Sequence, residues 1–247
     1  MKLSANLPLL IVALATVAGA QWTQIPGGMT QVSANINYIW GVNSAGQIFI
    51  CPRPCDGKGW KEIGGALKQL DVDEYEVWGV NSGGEIWRRP VDGSYKYQRI
   101  RGGLKHVSAS GHGYIWGVNN QDEIYKCQKP CSGQWIKVDG RLKQIDGGQR
   151  AVYGVNSTND IYTRPVDGSG AWRIIPGKLK YISASGVDTV YGITPDDVLV
   201  RCKKPCVGEF EIINSSGELT QCEATVNALF GVSSGCKTCI LRHDLPL

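Results

Sequence analysis

The chain has 247 residues, a formal net charge of +4 and nine cysteines. A charge this small gives no indication of a nucleic-acid-binding protein, which would present a strongly basic surface. The length is sufficient for one sizeable hydrophobic core.

The first 20 residues have the pattern of a secretory signal peptide. Lys2 supplies a positive charge, Leu9 to Val17 form a short apolar run, and Ala18-Gly19-Ala20 has the small-x-small form of a cleavage site. A buried helix is the alternative, but strand-like repeats follow at once. The run is also too short to span a membrane. We therefore predict a secreted, extracellular protein whose mature chain begins at Gln21.

A tetrapeptide that starts with an aromatic residue recurs along the mature chain. Its first copy is Trp40-Gly41-Val42-Asn43. The six copies begin at Trp40, Trp78, Trp116, Tyr153, Tyr191 and Phe230, so the period is 37 to 39 residues. A nearly fixed period of this length is typical of a repeat architecture.

Each repeat contains four short strand patterns, and the third copy illustrates them. The segments 104–108, 114–118, 123–127 and 135–138 are rich in β-branched and aromatic residues, and Gly, Asn or Asp residues separate them. A Leu-Lys pair and an aromatic-x-x-aliphatic pattern recur in the same phase. Four antiparallel strands in each of six repeats predict an all-β, six-bladed β-propeller that occupies residues 21–247 as a single domain.

The two ends of the chain carry complementary parts of a repeat. Trp22 to Ile25 has the fourth-strand pattern but precedes any first strand, whereas the last repeat, from Leu219 onward, lacks a fourth strand. We expect the N-terminal strand to complete the last blade, which would close the ring and leave no open edge.

Six of the cysteines form three pairs of the type Cys-x-x-Pro-Cys. The pairs are Cys51 with Cys55, Cys127 with Cys131, and Cys202 with Cys206. Zinc is the alternative ligand of paired cysteines, but pairs on alternate repeats cannot converge on one ion. We predict a disulfide within each loop.

The remaining cysteines, Cys222, Cys236 and Cys239, belong to the last repeat. We predict one disulfide among them. Cys222 and Cys239 lie on strands separated by a third strand, beyond bridging range. Cys236 therefore pairs with either of the other two. The leftover thiol is either buried or available for a link between subunits in a homo-oligomer.

Two sets of polar residues lie on one predicted face, near a mouth of the central channel. The lysines of the Leu-Lys pairs are Lys68, Lys105, Lys143 and Lys180, and the tetrapeptide asparagines are Asn43, Asn81, Asn119 and Asn156. The lysines are either solvated rim residues or a basic arc that attracts anionic glycans. The asparagines either form turns or hydrogen-bond sugar hydroxyls. We take both sets as candidate carbohydrate-binding residues.

No catalytic pattern recurs in the chain. His106, His112 and His243 fall out of phase with the repeats, and the chain lacks a nucleophile elbow, an HExxH motif and a phosphate-binding glycine loop. We therefore expect no enzyme activity, no cofactor and no metal. Two sequons, at Asn156 and Asn214, are glycosylation candidates.

Taken together, the Leu-Lys, Trp-Gly-Val-Asn and Trp-x-x-Ile patterns resemble the tectonin β-propeller repeat from Gln21 to about Asp244. With the signal peptide, the Cys-x-x-x-Cys loops and six repeats, the chain is most similar to the fish egg lectins, relatives of the horseshoe-crab tachylectin-1 group. The last repeat departs from the pattern at Thr220, Phe230 and Ser233.

The resemblance implies a secreted lectin that binds N-acetylglucosamine-type sugars and bacterial lipopolysaccharide in the innate defence of eggs or mucosa. The small net charge and the lack of an apolar stretch long enough to span a membrane predict no nucleic-acid partner and no membrane insertion. The alternative is a secreted scaffold for protein–protein interactions. A propeller hydrolase such as a sialidase is a third hypothesis, but the chain lacks Ser-x-Asp-x-Gly-x-Thr-Trp repeats.

Overall fold

The computed structural model describes residues 23–56, 58–214, 219–225, 228–233 and 239–244, with side chains for all of these except 23, 24, 214 and 239–244. The predicted signal peptide lies outside them. All helical or strand structure in the described residues is β-strand, arranged in six four-stranded antiparallel sheets. The predicted all-β architecture of four-stranded antiparallel blades is confirmed. Within these residues, no helix is long and apolar enough to cross a membrane.

Five of the sheets are built from four consecutive strands, which follow a first strand, β1 (Thr23–Pro26). Blade one contains β2 (Met29–Ala34), β3 (Tyr38–Asn43), β4 (Ile48–Pro52) and β5 (Lys61–Ile63), and blade two contains β6 (Gln69–Val72), β7 (Glu76–Val80), β8 (Ile86–Pro90) and β9 (Gln98–Ile100). Blade three contains β10 (His106–Ser108), β11 (Tyr114–Val118), β12 (Glu123–Gln128) and β13 (Ile136–Arg141). Blade four contains β14 (Gln144–Gly147), β15 (Ala151–Val155), β16 (Asp160–Pro165) and β17 (Arg173–Lys178), and blade five contains β18 (Tyr181–Ser183), β19 (Thr189–Ile193), β20 (Leu199–Lys203) and β21 (Glu211–Asn214).

The sixth sheet joins the two ends of the chain. It contains β22 (Leu219–Ala224), β23 (Ala228–Ser233) and β24 (Cys239–Asp244), and β1 pairs antiparallel with β24 so that Ile25 lies opposite Ile240. The first strands of the six sheets contact one another in sequence, from β2 through β6, β10, β14 and β18 to β22 and back to β2. These strands form the inner wall of the ring.

Two of the predicted strands in blade three are displaced from their expected positions. The first strand begins at His106 rather than at residue 104, because Leu104 and Lys105 belong to the linker that enters the blade. The fourth strand begins after Trp135 and continues to Arg141 across an irregularity in its pairing with β12. The indole of Trp135 instead donates to the backbone oxygen of Arg101 in blade two, at 2.8 Å.

The linker leucine and the tetrapeptide glycine pack directly against each other. A Cβ atom on Gly154 would lie 2.5 Å from Cδ1 of Leu142 and 2.9 Å from the backbone oxygen of Gln144. The equivalent glycine of every other blade is in similarly close contact with a side chain. The pairs are Met29 with Gly41, Leu67 with Gly79, Leu104 with Gly117, Leu179 with Gly192 and Leu219 with Gly231. The glycine of the repeated tetrapeptide is therefore required because the linker side chain occupies the space of its missing Cβ.

The aromatic residue that opens the tetrapeptide is buried between blades. Trp40, Trp78 and Trp116 are fully buried. The Trp40 indole donates to the backbone oxygen of Val91 in the next blade, at 2.9 Å, and Trp116 makes the equivalent bond to Val166, at 3.1 Å. These residues therefore hold neighbouring blades together.

The three predicted disulfides within the Cys-x-x-Pro-Cys loops are confirmed. In blades two and four an arginine takes the place of the first cysteine. Arg164 donates to Asp139 at 2.7 Å and to the backbone oxygen of Gly170, and Arg89 donates to Gly93 at 2.5 Å. Arginine hydrogen bonds therefore hold the two loops that lack a disulfide.

Cys222 is a free, buried thiol. The pairing of Cys222 with Cys236, one of the two that we predicted, is therefore wrong. The other, between Cys236 and Cys239, lies outside the described residues, which include neither Cys236 nor the side chain of Cys239.

Glutamine side chains connect the innermost strands of neighbouring blades. Gln69 donates to the backbone oxygen of Val107 at 2.8 Å and accepts from its backbone nitrogen at 2.9 Å. Gln31, Gln144 and Gln221 make the same paired bonds to Leu70, Ile182 and Val32. In blades three and five this position holds His106 and Tyr181, so the clamp is not repeated there. Both ring nitrogens of His106 are buried without a partner, and burial lowers its pKa to about 3.

Two residues further along these strands, serines and carboxylates alternate around the ring. The six residues are Ser33, Asp71, Ser108, Asp146, Ser183 and Glu223, and all are buried. The Asp146 carboxylate accepts hydrogen bonds from the Ser108 hydroxyl at 2.8 Å and from the backbone nitrogen of Ala184 at 2.6 Å. Burial and, after it, the charge of Asp71 raise the pKa of Asp146 to about 7. Burial likewise raises the pKa of Asp71 and of Glu223.

We predict that Gly154→Ala destabilises the protein by roughly 1–3 kcal/mol, because the new methyl group must displace Leu142 or the backbone at Gln144. Urea denaturation measures the change. Gly64→Ala is the matched control, since a Cβ there meets nothing within 4 Å. Equal stability of the two variants would contradict the packing argument.

We also predict that the stability contributed by Asp146 falls as pH rises from about 4 to about 7. A carboxyl whose folded pKa is raised contributes stability that is present below its unfolded pKa, near 3.9, and is lost as pH rises through the folded value. His106, whose folded pKa is lowered to about 3, acts in the opposite direction over part of this window. Asp146→Asn should therefore make the slope of the unfolding free energy against pH more positive, which denaturation at several pH values measures. Asp92→Asn removes an exposed loop carboxylate and should leave the slope in this window unchanged. A more negative or unaltered slope in Asp146→Asn would count against the argument.

Candidate functional site

The linkers that carry the predicted lysines lie against the turns that carry the predicted asparagines. The backbone nitrogen of Leu67 donates to Gly46 at 3.0 Å, and that of Leu104 donates to Gly84 at 2.9 Å. Each linker therefore rests on the turn between the second and third strands of the preceding blade. Both sets of candidate residues lie on one face of the molecule, which we call the mouth face.

Three of the four candidate lysines are engaged by the turn of their own blade. Lys105 pairs with Asp122, and Lys180 pairs with Asp197. The Lys143 ammonium donates to the side-chain oxygen of Asn159. Burial lowers the pKa of Lys143 and of Lys180, and the charges of the neighbouring Lys105 and Lys180 lower that of Lys143 further.

Lys68 differs because its own turn offers no partner. Asp122, Asn159 and Asp197 each end a turn of four residues, and in blade two that position is Gly84. Lys68 is exposed, and its ammonium makes no hydrogen bond or ion pair with any described residue. Of the four candidate lysines, two therefore lack a carboxylate partner among the described residues: Lys143, which is bonded to the neutral Asn159, and Lys68, whose ammonium makes no bond.

Lys68 borders a pocket of about 270 Å³ between blades one and two, which we call the mouth pocket. Its polar side chains are Thr30, Asn43, Ser44, Lys68 and Ser82. In blade one, Thr30 stands where blades two to five carry a lysine, and Gly46 stands where blade three carries Asp122 and blade four carries Asn159. Two predicted site residues, Lys68 and Asn43, meet here.

The candidate asparagines use their amide groups to close turns. The Asn119 oxygen accepts from the backbone nitrogens of Gln121 and Glu123 at 3.0 and 2.9 Å, and its nitrogen donates to the Glu123 carboxylate at 2.7 Å. Asn43, Asn81 and Asn156 bond Gln47, Glu85 and Asp160 in the same way. Their oxygens and nitrogens are therefore turn-forming groups.

The two sequons differ in how much of them the structure describes. Asn156 is half-buried within its turn, and its nitrogen donates to Asp160 at 3.1 Å. The other, Asn214, ends β21, and its side chain lies outside the described residues.

A second concavity, which the sequence patterns did not predict, lies between blades three and four. We call it the inter-blade groove. It has a volume of about 280 Å³ and is lined by Ile124, Gly140, Arg141, Leu142, Asn156, Tyr162 and Trp172. The sequence carried a signal for it, because an aromatic residue recurs on the third strand of four blades, at Phe49, Trp87, Tyr125 and Tyr162. Half-buried aromatic side chains between blades are available for apolar contact.

Within the described residues, no group of three or more His, Cys, Asp or Glu side chains is arranged to hold a metal ion. The chemistry of the mouth pocket is that of the Lys68 ammonium and of hydroxyl and amide groups, and the inter-blade groove adds aromatic walls.

Solved structures share the fold at low sequence identity. The β-propeller domain of Cps50 (Swd1) from Myceliophteria thermophila superposes with a TM-score of 0.64 and 10% identity, covering 92% of this chain and 100% of that one. Human WBSCR16 superposes with a TM-score of 0.61 and 10% identity, covering 88% of this chain and 72% of that one. These similarities show the propeller fold alone.

Sequence comparison identifies the family of the chain, which the shared fold does not. A stretch of 39 residues is 56% identical to Lectin L6 of Tachypleus tridentatus, and the match covers 15% of this chain and 18% of that protein. The chain thus matches less than a fifth of the length of this relative. The family model of the Tectonin domain matches residues 12–96 and 91–239, most of the chain. The chain therefore belongs to the tectonin family.

Proposed function

We propose that the protein is a secreted lectin of innate defence that binds N-acetylglucosamine-type sugars and bacterial surface glycans such as lipopolysaccharide. Family membership and the match to a lectin of Tachypleus tridentatus support carbohydrate binding. The three disulfides are consistent with an oxidising, extracellular compartment. Removal of residues 1–20 as a signal peptide and glycosylation at Asn156 and Asn214 stay predictions.

The mouth pocket is the observation that carries this proposal. Hydroxyl groups of Thr30, Ser44 and Ser82 surround it, and Lys68 supplies a positive charge at its edge. Hydroxyl and amide groups are suited to sugar hydroxyls, while an ammonium without a carboxylate partner attracts phosphate or carboxylate substituents. This combination fits an anionic bacterial glycan better than a neutral one.

The candidate lysines differ in whether a carboxylate neutralises them, and this difference allows the role of the mouth pocket to be tested. Lys68→Ala removes a cation that borders the mouth pocket and has no partner among the described residues, whereas Lys105→Ala removes a cation that Asp122 already pairs. The two variants have the same net charge, so they differ in the position of the lost charge and not in the overall field. Lys105→Ala is therefore the matched control.

We predict that Lys68→Ala weakens binding to immobilised lipopolysaccharide about five- to tenfold, because a charge-assisted contact to an anionic group is lost. Its affinity should also depend less steeply on salt concentration. Surface plasmon resonance at several salt concentrations measures both. Equal losses in Lys68→Ala and Lys105→Ala would show that long-range charge, rather than the mouth pocket, attracts the glycan.

A further inference from the structure

We infer that the outer edges of blades four and five form a surface through which two copies of the chain associate. The occupant of this surface is a second copy, placed by a two-fold axis that runs parallel to the axis of the ring. We call the surface the dimer edge, and it contains Arg173, Ile174, Val207, Glu211 and Ile212. The inference goes beyond the proposed lectin function and does not depend on it, since self-association can be measured without any glycan.

The fourth strand of each blade is its outer edge. The first strands form the inner wall of the ring, and each of the five consecutive sheets runs in order from its first to its fourth strand. A strand at the edge of a sheet exposes backbone groups that can pair with another chain, and charged side chains protect such an edge. Blades one, two and three carry an exposed charged residue at one equivalent position of this strand, namely Glu62, Arg99 and Lys137.

Blades four and five carry isoleucine at this position. Ile174 of β17 lies opposite Tyr162, and Ile212 of β21 lies opposite Val200. The two isoleucines are 63% and 69% exposed, and Val207, in the loop before β21, is 64% exposed. Single exposed apolar residues are common on protein surfaces, but a group of them on one surface indicates an interaction site. Two neighbouring blades therefore lack the charge that protects the edges of the first three.

These exposed residues form one surface because blades four and five touch at their outer edges. A Cβ atom on Gly208 of blade five would lie 2.8 Å from Cδ of Pro176 in blade four. A Cβ atom on Gly177 of blade four would lie 3.5 Å from the ring of Phe210 in blade five. The loop that carries Val207 is thus packed onto the fourth strand of the preceding blade, and the two edges are continuous.

The residue before each isoleucine gives the two edges opposite charges. Arg173 precedes Ile174 in blade four, and Glu211 precedes Ile212 in blade five. Both charged residues are exposed. Glu211 accepts a hydrogen bond from Arg201 at 3.0 Å, but its side chain is still 70% exposed and can meet a second cation. The edge of blade four is therefore basic beside an apolar residue, and that of blade five is acidic beside one.

This pattern is self-complementary under one two-fold rotation. An axis parallel to the ring axis, placed outside the molecule between the two blades, brings blade four of one protomer against blade five of its partner. The rotation preserves height along the axis, so equivalent strand positions face each other across it. Arg173 therefore faces the partner's Glu211, and Ile174 faces its counterpart in the same way. Each contact occurs twice, as a two-fold interface requires, and the opposite charges favour association.

The arrangement has a consequence for the proposed lectin. A rotation about an axis parallel to that of the ring leaves the mouth faces of both protomers pointing in the same direction. The two mouth pockets then meet one glycan-bearing surface together, and two linked sites raise avidity above the affinity of either site. Only this consequence rests on the proposed function.

The experiment compares charge-reversal variants of the purified protein by sedimentation velocity over a range of protein concentrations. The wild-type protein should sediment as a monomer–dimer equilibrium. Arg173→Glu and Glu211→Lys each place like charges across the interface, so each should raise the Kd of the dimer at least about tenfold. Lys61→Glu is the matched control for Arg173→Glu, because it makes the same change of charge at the equivalent position of blade one. It should leave the Kd unaltered.

A mixture of the two charge-reversal variants gives the sharper result. In the mixture one protomer is negative at both positions and the other is positive at both, so every charged contact across the axis becomes attractive. A heterodimer should therefore form with a Kd near that of the wild-type dimer. This recovery also shows that both variants are folded, since an unfolded chain could not restore the complex.

Ile174→Lys tests the apolar contact of the dimer edge. Blade three already accommodates a lysine at this strand position, Lys137, so the substitution suits the fold. It should raise the Kd of the dimer by a similar factor, at least about tenfold, because it places a charge against an apolar residue of the partner.

A wild-type protein that stays monomeric at every concentration would overturn the inference. A dimer whose Kd is the same in all the variants would overturn it too, because that dimer would use another surface. Both results leave the proposed lectin function standing. A wild-type protein that dimerises as expected but does not bind lipopolysaccharide would instead defeat the proposed function and leave the dimer edge in place.

Discussion

The contact between a linker leucine and a bare glycine is the constraint on which the other features depend. It presses each linker onto the second strand of its blade, as Leu142 does on Gly154. The backbone nitrogen of Leu142 then donates to Asp122 in the preceding blade at 2.9 Å. One side chain therefore sets the spacing between two blades. Both candidate sites use this arrangement, since Leu67 lines the mouth pocket and Leu142 lines the inter-blade groove.

The features that could be predicted from the sequence are those that repeat with a fixed period. Aromatic and β-branched residues at a fixed phase gave the four strands of each blade and the burial of Trp116. The disulfides were predictable because each bridge lies within one short loop, as between Cys127 and Cys131. Linker boundaries were less accurate, since Lys105 is bonded to the sheet by its backbone yet precedes the strand.

The partners of side chains depend on how turns and blades are placed in space, which periodicity does not convey. The four lysines look equivalent along the chain, but a single turn position separates them. Asp122 neutralises Lys105, while Gly84 leaves Lys68 without a partner. The groove was missed because it combines Gly140 of one blade with Trp172 of the next. The carboxylates of the inner wall were missed because the sequence does not convey that Asp71, Asp146 and Glu223 are buried.

Some features of the ring recur in every second blade, and others recur in successive blades. Features with a two-blade period, the disulfides and the alternating serines and carboxylates, lie in the loops opposite the mouth face and on the inner wall. The disulfides hold single loops together, and the inner-wall carboxyls are buried within the ring. The aromatic residues of the third strand recur from blade to blade, and they line the space between blades. The proposed attraction of anionic glycans depends, by contrast, on an exception to the repeat, since Lys68 has no partner among the described residues where Lys105 and Lys180 have a carboxylate.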